Sequence, residues 1–329
     1  MGCTIKDVAK AANVSVATVS YVINKTKPVS KETRERVLKA VAELGYMPSS
    51  VARSMKGKKS RTIGYISPTY STKFYSNVFS VCGAELAKSG YRILGASSNF
   101  DLETERLLIN STLSRGVVDG LIVFTSAQNT EELEKELPKD FPSVILDAHF
   151  PFSADGITHT FADALSETVS YYQRNGHKKA ALFSGVPGLS SVQEQRKAFQ
   201  RALKHYDMPC DTELYDGEMP RTKEAVLQFA ERNHCTALCF IDFDRMFNMF
   251  YDANTQGILI PPEFDVVCGS EDETDYMLQT SIPRIIVPTK DIGVLAAKQI
   301  LYRIKEEESG MNRVQAQRII LPCGLRYPQ

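Results

Sequence analysis

The 329-residue chain contains no apolar run of the ~18 residues that would span a bilayer. Its opening, Met1-Gly2-Cys3-Thr4, has no apolar leader before a helix signal begins. These absences predict a cytoplasmic protein with no membrane partner. The chain also lacks net charge, with 39 Lys and Arg against 39 Asp and Glu. Its seven cysteines, at 3, 82, 210, 235, 239, 268 and 323, are an odd set without framework spacing, which predicts reduced and mostly buried thiols. Five histidines (149, 159, 177, 205, 234) show no metal-ligand spacing. Cys235 and Cys239 flank the start of an apolar run at 237–241, which reads as a strand rather than a zinc site. No G-x-S-x-G, G-x-x-x-x-G-K-[ST] or G-x-G-x-x-G occurs. Gly185-Val186-Pro187-Gly188 reads as an ordinary turn rather than a phosphate cradle. No catalysed reaction, metal or cofactor is expected.

Neutrality is a cancellation. Residues 1–61 hold nine Lys and four Arg against Asp7, Glu32, Glu35 and Glu43, a surplus of nine positive charges, and the remaining residues carry the matching negative surplus. A compact basic segment is the footprint of a polyanion-binding module, because counterion release from phosphates drives association. Within it, Thr4 caps a helix whose Ile5, Val8, Ala9 and Ala12 fall on one face. Ser15 caps a second helix that buries Val19, Val22 and Ile23 and exposes Val16, Ala17, Ser20 and Tyr21. Two short helices around a tight turn, the second with a small outward face, form a helix-turn-helix that can enter a DNA major groove. Ser30 starts a third helix, closed by Gly45 and Pro48. Residues 50–55 are helix-prone but too few to be stable alone, so they should fold only against a partner such as DNA.

From Thr62 the pattern alternates. Strands are expected at 62–67, 92–97, 120–124 and 143–146, then at 180–184, 237–241 and 265–269. Helices are expected between them, with a helix at 291–305 and a last strand at 318–321. This predicts two consecutive α/β lobes with parallel sheets, breaking near residue 160.

The stretches TIKDVAKAANVSVATVSYVIN, VSKETRERVLKAVAELGYMPSSVARSM and KKSRTIGYISP, with weaker landmarks at Gly176-His177, Gln195-Arg196, Asp244 and 262–269, resemble the LacI/GalR family of bacterial transcription repressors. The resemblance implies an all-α helix-turn-helix headpiece at 1–48, a hinge helix and linker at 49–61, and a core at 62–329 of two parallel-sheet lobes like a type I periplasmic binding protein. Lobe 1 would span about 62–160 plus 290–317, and lobe 2 about 161–289 plus 318–329. It also implies a homodimer on double-stranded, pseudo-palindromic operator DNA, controlled by a small effector such as a sugar or related metabolite. A regulator governed by a partner protein, as in catabolite control, and a solute-binding protein are the alternatives.

By the same resemblance Val16, Ala17 and Tyr21 occupy base-reading positions. Val16 and Ala17 suit a thymine methyl group, and Tyr21, where the family often has Arg, can make one hydrogen bond. Ser15, Thr18, Asn24 and Lys25 suit phosphates. Thr4, Ser50 and Arg53 complete the expected DNA contacts with Met55, which stands where the family has a Leu that wedges into the minor groove. The effector cleft is expected near strand C-terminal ends, with Tyr70, Tyr75, Asp147, Phe150, Arg196, Asp244, Glu271 and Asp272 facing it. Phe74 is expected in the core. His159-Thr160 replaces a common Asp-Asn pair and Val287 a common Gln, so the cleft is not that of a standard hexose repressor and could hold a charged or nitrogenous ligand.

Overall fold

The computed structural model describes residues 3–24, 27–46, 59–114, 117–137, 141–209, 222–252, 257–271, 282–309 and 315–328. Lys25, Ser50, Arg53, Met55 and Asp272 lie outside these residues, as does the side chain of Asn24. Two compact units emerge, Met1–Ser60 and Arg61–Gln329.

The first unit holds helices α1 (Ile5–Ala11), α2 (Val16–Asn24) and α3 (Lys31–Glu43). Val8, Ala9, Ala12, Val19, Val22, Val37 and Ala40 form its core. Ile5 and Ile23, expected in that core, are half-buried at its rim. Asn13 makes the turn between α1 and α2 in the left-handed region at φ +52°, which Asn tolerates better than most residues. The Ser15 hydroxyl accepts from the Thr18 N–H at 3.0 Å and satisfies one donor at the start of α2. Gly45, at φ +57°, ends α3, and Tyr46 N–H returns to the Val41 carbonyl.

The second unit contains two sheets. Sheet 1 runs β12-β5-β4-β3-β1-β2, all parallel, from β1 (Thr62–Ser67), β2 (Arg92–Ser97), β3 (Gly120–Phe124), β4 (Ser143–Leu146), β5 (Asp155–Thr160) and β12 (Arg318–Pro322). Sheet 2 runs β13-β11-β10-β7-β6, from β6 (Ala180–Phe183), β7 (Ala237–Phe240), β10 (Asp265–Glu271), β11 (Arg284–Val287) and β13 (Gly324–Arg326), with only β13 antiparallel. A small ribbon, β8 (Tyr251–Asp252) with β9 (Gly257–Ile258), stands apart from both sheets.

Helices α4 (Lys73–Lys88) and α11 (Thr289–Glu308) supply Val78, Cys82, Leu86, Ile292, Ala296 and Ile300 to one face of sheet 1. Helices α5 (Leu102–Ser114) and α6 (Thr130–Glu134) supply Ile109 and Leu133 to the other. In sheet 2, α7 (Ala162–Arg174) and α8 (Ser190–His205) cover one face, and α9 (Lys223–Asn233) and α10 (Phe243–Phe250) the other. Burial on both faces explains why the central strands read as unbroken apolar runs.

The expected lobe boundary needs one correction. Residues 318–322 do not belong to lobe 2. They pair in parallel with β5, from Arg318 with Gly156 to Pro322 with Thr160. Only Gly324–Arg326 joins sheet 2. The cause is β5, whose sequence Asp-Gly-Ile-Thr-His-Thr carries no apolar alternation and gives no strand signal. Once α11 covers sheet 1, a parallel return places the next strand beside β5. Asp155 fixes the join. It is 1 % exposed, and its Oδ1 accepts from Arg303 Nη2 at 2.7 Å and from the Gln317 N–H at 2.8 Å. Gln299 donates to its Oδ2 at 3.0 Å, and Arg303 Nη1 donates to Glu306 at 2.7 Å. The chain passes between the sheets three times, at Phe161, Pro288 and Cys323.

Candidate functional site

Two surfaces gather the expected functional residues. On the headpiece, α2 presents Val16 and Ala17 exposed, with Thr18, Ser20 and Tyr21 half-buried. The Lys27 ammonium lies 5.0 Å from the Tyr21 ring centroid, so the ring carries a cation beside the apolar pair. Ser15 and Thr18 hydroxyls are 2.9 Å apart at the helix start. Thr4 is exposed, but its N–H and hydroxyl both donate to Asp7, at 2.8 and 2.7 Å. This face offers methyl groups and one phenol to base edges, and hydroxyls and cations to phosphates.

The second surface is a cavity of about 210 Å³ between the lobes. It sits where the C-terminal ends of strands from both sheets converge, the usual ligand position in open α/β sheets. Thr69, Thr72, Phe74 and Tyr75 follow β1, Asp147 follows β4, and His159 and Phe161 end β5. From lobe 2 come Gly185 and Val186 after β6, Gln195 on α8, residues 241–245 after β7, Ser270 and Glu271 on β10, and Val287 on β11. Gly269 allows this convergence, because a Cβ there would lie 2.1 Å from the Ile241 carbonyl oxygen. Its absence lets β10 press against the exit of β7 and bring Glu271 to the wall.

Asp147 adopts φ +59°, and its carboxylate faces two histidines. His149 Nε2 and His159 Nδ1 stand 3.3 and 3.2 Å from its Oδ1. Burial opposes ionisation of Asp147, but His159, His149 and the Ser191 hydroxyl outweigh it and hold the carboxyl below its ordinary range. Burial pulls His149 down, yet its bond to Asp147 raises it overall, whereas burial keeps His159 lowered. The Asp147 carboxylate is thus favoured beside two histidines shifted in opposite directions, His149 upward and His159 downward. In lobe 2, Asp242 caps α10 through the Arg245 N–H at 3.1 Å, and burial raises its carboxyl. Burial, with Asp244 and Asp242 adding to it, pushes Glu271 up to about 7 against the pull of Lys73. Burial also raises the Tyr75 phenol far above its usual value, so it stays neutral.

Of the expected effector residues, the structure brings Tyr75, Asp147, Asp244 and Glu271 to the cavity. Tyr70, Phe150 and Arg196 are not in its wall. The Tyr70 hydroxyl donates to the Tyr65 and Ala96 carbonyls, each at 3.2 Å, which turns the ring into the sheet edge. Phe150 packs on Phe152 in the cluster behind sheet 1. On α8 it is Gln195, 7 % exposed, that faces the cavity, with Arg196 one step around the helix. Phe74, expected only in the core, both packs there and lines the cavity. His149, Asp242 and Arg245 carry no sequence signal of their own, and Gln195 stands in a landmark of the resemblance that does not mark it as a cavity residue. Asp242 and Arg245 could have been inferred only from their place beyond a strand's C-terminal end.

A basic helix-turn-helix module joined to a two-lobed α/β core with a crevice cavity defines a class, the DNA-binding transcription regulators. The comparisons agree. A model of the bacterial regulatory proteins of the lacI family matches residues 4–49. The HTH-type transcriptional repressor PurR of Vibrio vulnificus (strain CMCP6) is 32% identical over 314 residues, covering 93% of each chain. Catabolite control protein A of Priestia megaterium is 29% identical over 322 residues, covering 96% of each. The Lac repressor bound to ONPG in its repressed state superposes with a TM-score of 0.80 at 20% identity, over 99% of this chain and 98% of that one. A LacI-family regulator from Silicibacter pomeroyi gives 0.79 at 22% identity over the same shares. The chain belongs to the lacI family of bacterial regulatory proteins.

Proposed function

We propose that the chain acts in the cytoplasm as a homodimeric repressor on a pseudo-palindromic operator, with operator affinity set by a small metabolite in the inter-lobe cavity. The observation that carries this is the cavity itself, whose wall draws polar side chains from both lobes. A ligand touching both lobes necessarily favours one lobe arrangement over another, and only such differential affinity can shift the DNA-binding state. The headpiece reads the operator through Val16, Ala17 and Tyr21, and two headpieces on a two-fold axis require a pseudo-palindromic site. No catalysed step and no cofactor enters this reading. Among the described residues no group of three His, Cys, Asp or Glu is placed to hold a metal ion. No helix of the described residues is long and apolar enough to cross a membrane.

The test is operator binding by fluorescence anisotropy in the presence of a metabolite panel, using an operator selected from random sequence. At least one metabolite should shift operator affinity in the parent protein, and Gln195→Ala should weaken that response at least ~10-fold, the scale of one buried hydrogen bond. A response that survives Gln195→Ala and Tyr75→Ala at parental ligand concentrations would place the effector elsewhere.

A further inference from the structure

The acids of the cavity meet different neighbours. Asp147 is answered by two histidines. Asp242 Oδ2 has Arg245 Nε at 3.3 Å, and its Oδ1 caps α10. Asp244 Oδ2 accepts from the Lys73 N–H at 3.1 Å, at the first turn of α4. Glu271, 8 % exposed, shares its wall with Asp242 and Asp244, whose charges oppose its own. The cation acting on it is Lys73, whose ammonium also lies 5.1 Å from the centre of the Phe243 ring. Among the described residues the cavity wall holds four carboxylates and, apart from histidine, one cationic side chain, Arg245.

Two further observations point to what fits. Gln195 Oε1 is buried and has no hydrogen-bond partner among the described residues, although its side chain lines the cavity. It is an acceptor seeking a donor. The aromatic wall of Phe74, Tyr75, Phe100, Phe161 and Phe243 already hosts the Lys73 ammonium at one edge.

We propose that the effector is a small molecule carrying one cationic nitrogen, an amine or amidinium, with the charge at Glu271 and an N–H directed to Gln195. The proposal rests on the reading of the cavity as the effector site and names the ligand's chemical class. An anionic ligand meets repulsion from Asp242, Asp244 and Glu271 together. A neutral polyol satisfies acceptors but gains nothing from the surplus field. A cation recovers its lost hydration there, because a desolvated charge is stable only beside an opposite one. Among the described residues, the charged and titratable groups acting on Glu271 or sharing its cavity are Asp242, Asp244 and Arg245 from the β7 exit, Lys73 from α4, and Asp147, His159 and Tyr75 from lobe 1. A bound cation favours the ionised Glu271, so affinity should fall as pH drops through the range where this carboxyl takes up its proton.

Calorimetric titration of the full chain with matched pairs tests this: benzylamine against benzyl alcohol, butylguanidine against butylurea, and glucamine against sorbitol. At about pH 8 at least one cationic member should bind ~10-fold or more tightly than its neutral twin, and should weaken ~10-fold by about pH 5.5. Glu271→Gln should abolish the preference, with the thermal midpoint of the unliganded variant checking its fold. If that variant does not fold, Glu271→Ala, which also removes the carboxylate, gives the same comparison. Equal or tighter binding by the neutral twins, a preference that survives loss of the Glu271 carboxylate, or no binding by any member at millimolar concentration overturns the assignment. If neutral probes bind and Tyr75→Ala removes their binding, the cleft reading stands and only the charge assignment fails. If binding ignores both Tyr75→Ala and Glu271→Gln, the cleft reading fails as well.

Discussion

The Asp244 carboxylate accepts a 3.1 Å hydrogen bond from the backbone N–H of Lys73, which lies 171 residues away in the other lobe. The bond ties the exit of β7 to the positive end of a 16-residue helix. Asp244 also lines the cavity, so the lobes hold each other through a group in the cavity wall.

Replacing Asp244 by Ala should therefore cost about 1–2 kcal/mol in denaturant unfolding, the scale of a part-buried carboxylate at a helix N-terminus. The same variant should show a larger radius of gyration by small-angle scattering without ligand. Stability and dimensions both unchanged would mean the bond holds nothing closed.

The Asp155–Arg303–Glu306 network should behave as a buried ionic unit. Arg303 and Asp155 side chains are 2 % and 1 % exposed. Arg303→Met strands Asp155 in the core and should cost about 3–5 kcal/mol, whereas the double change Asp155→Leu with Arg303→Met should cost less than the two single losses summed. Burial raises Asp155, but Arg303, Gln299 and the Gln317 N–H hold its carboxyl below the ordinary range. That contribution is complete above the unfolded carboxylate range and is lost as pH falls below it. A double-mutant cycle with zero coupling would remove the network from the account.

Glu136 should titrate in the opposite sense. Its side chain is 2 % exposed, and burial, aided by nearby Glu105 and opposed by Arg106, pushes its carboxyl up to about 7. Between the ordinary Glu value of 4.5 and that point, the folded chain holds a proton that the unfolded chain has released. Stability thus falls as pH rises through this window, and Glu136→Gln should gain roughly 1–3 kcal/mol over the parent on going from about pH 4 to about pH 8. Parallel pH profiles for parent and variant would contradict this.

Tyr21→Phe removes only a hydroxyl. It should weaken the selected operator by about 1–3 kcal/mol and relax discrimination at one base pair, leaving the salt dependence of binding unchanged. A uniform loss across sequences would assign Tyr21 to headpiece packing or phosphate contact instead.

The sequence was most legible where local rules decide the outcome. The four strands 62–67, 92–97, 120–124 and 143–146 stand at the expected bounds, and for 62–67, 120–124 and 143–146 burial on both sides writes itself as apolar runs, whereas 92–97 is the exposed edge strand. β5 was invisible because its place depends on Arg303 and Gln299, over 140 residues away, which hold Asp155. On α8 the residues Gln195 and Arg196 differ by about 100° of helical rotation, and only the packing of Ala198, Phe199 and Ala202 against sheet 2 decides which one meets the cavity. The Asp147–His149–His159 group joins side chains from two strand ends. Their spacing resembles no ligand motif, because His159 reaches Asp147 across the sheet and only His149 lies near it along the chain.

The passage at Cys323 has a consequence for synthesis. A single residue separates β12 in one sheet from β13 in the other. On the ribosome, β5 keeps a bare edge until residues 318–322 emerge, and β11 does so until 324–326 follow. The headpiece helices, complete by residue 43, can pack long before either lobe is closed. One short stretch thus acts as a late fastener for both halves of the ligand-binding unit, and a protease that clips it would open the two together.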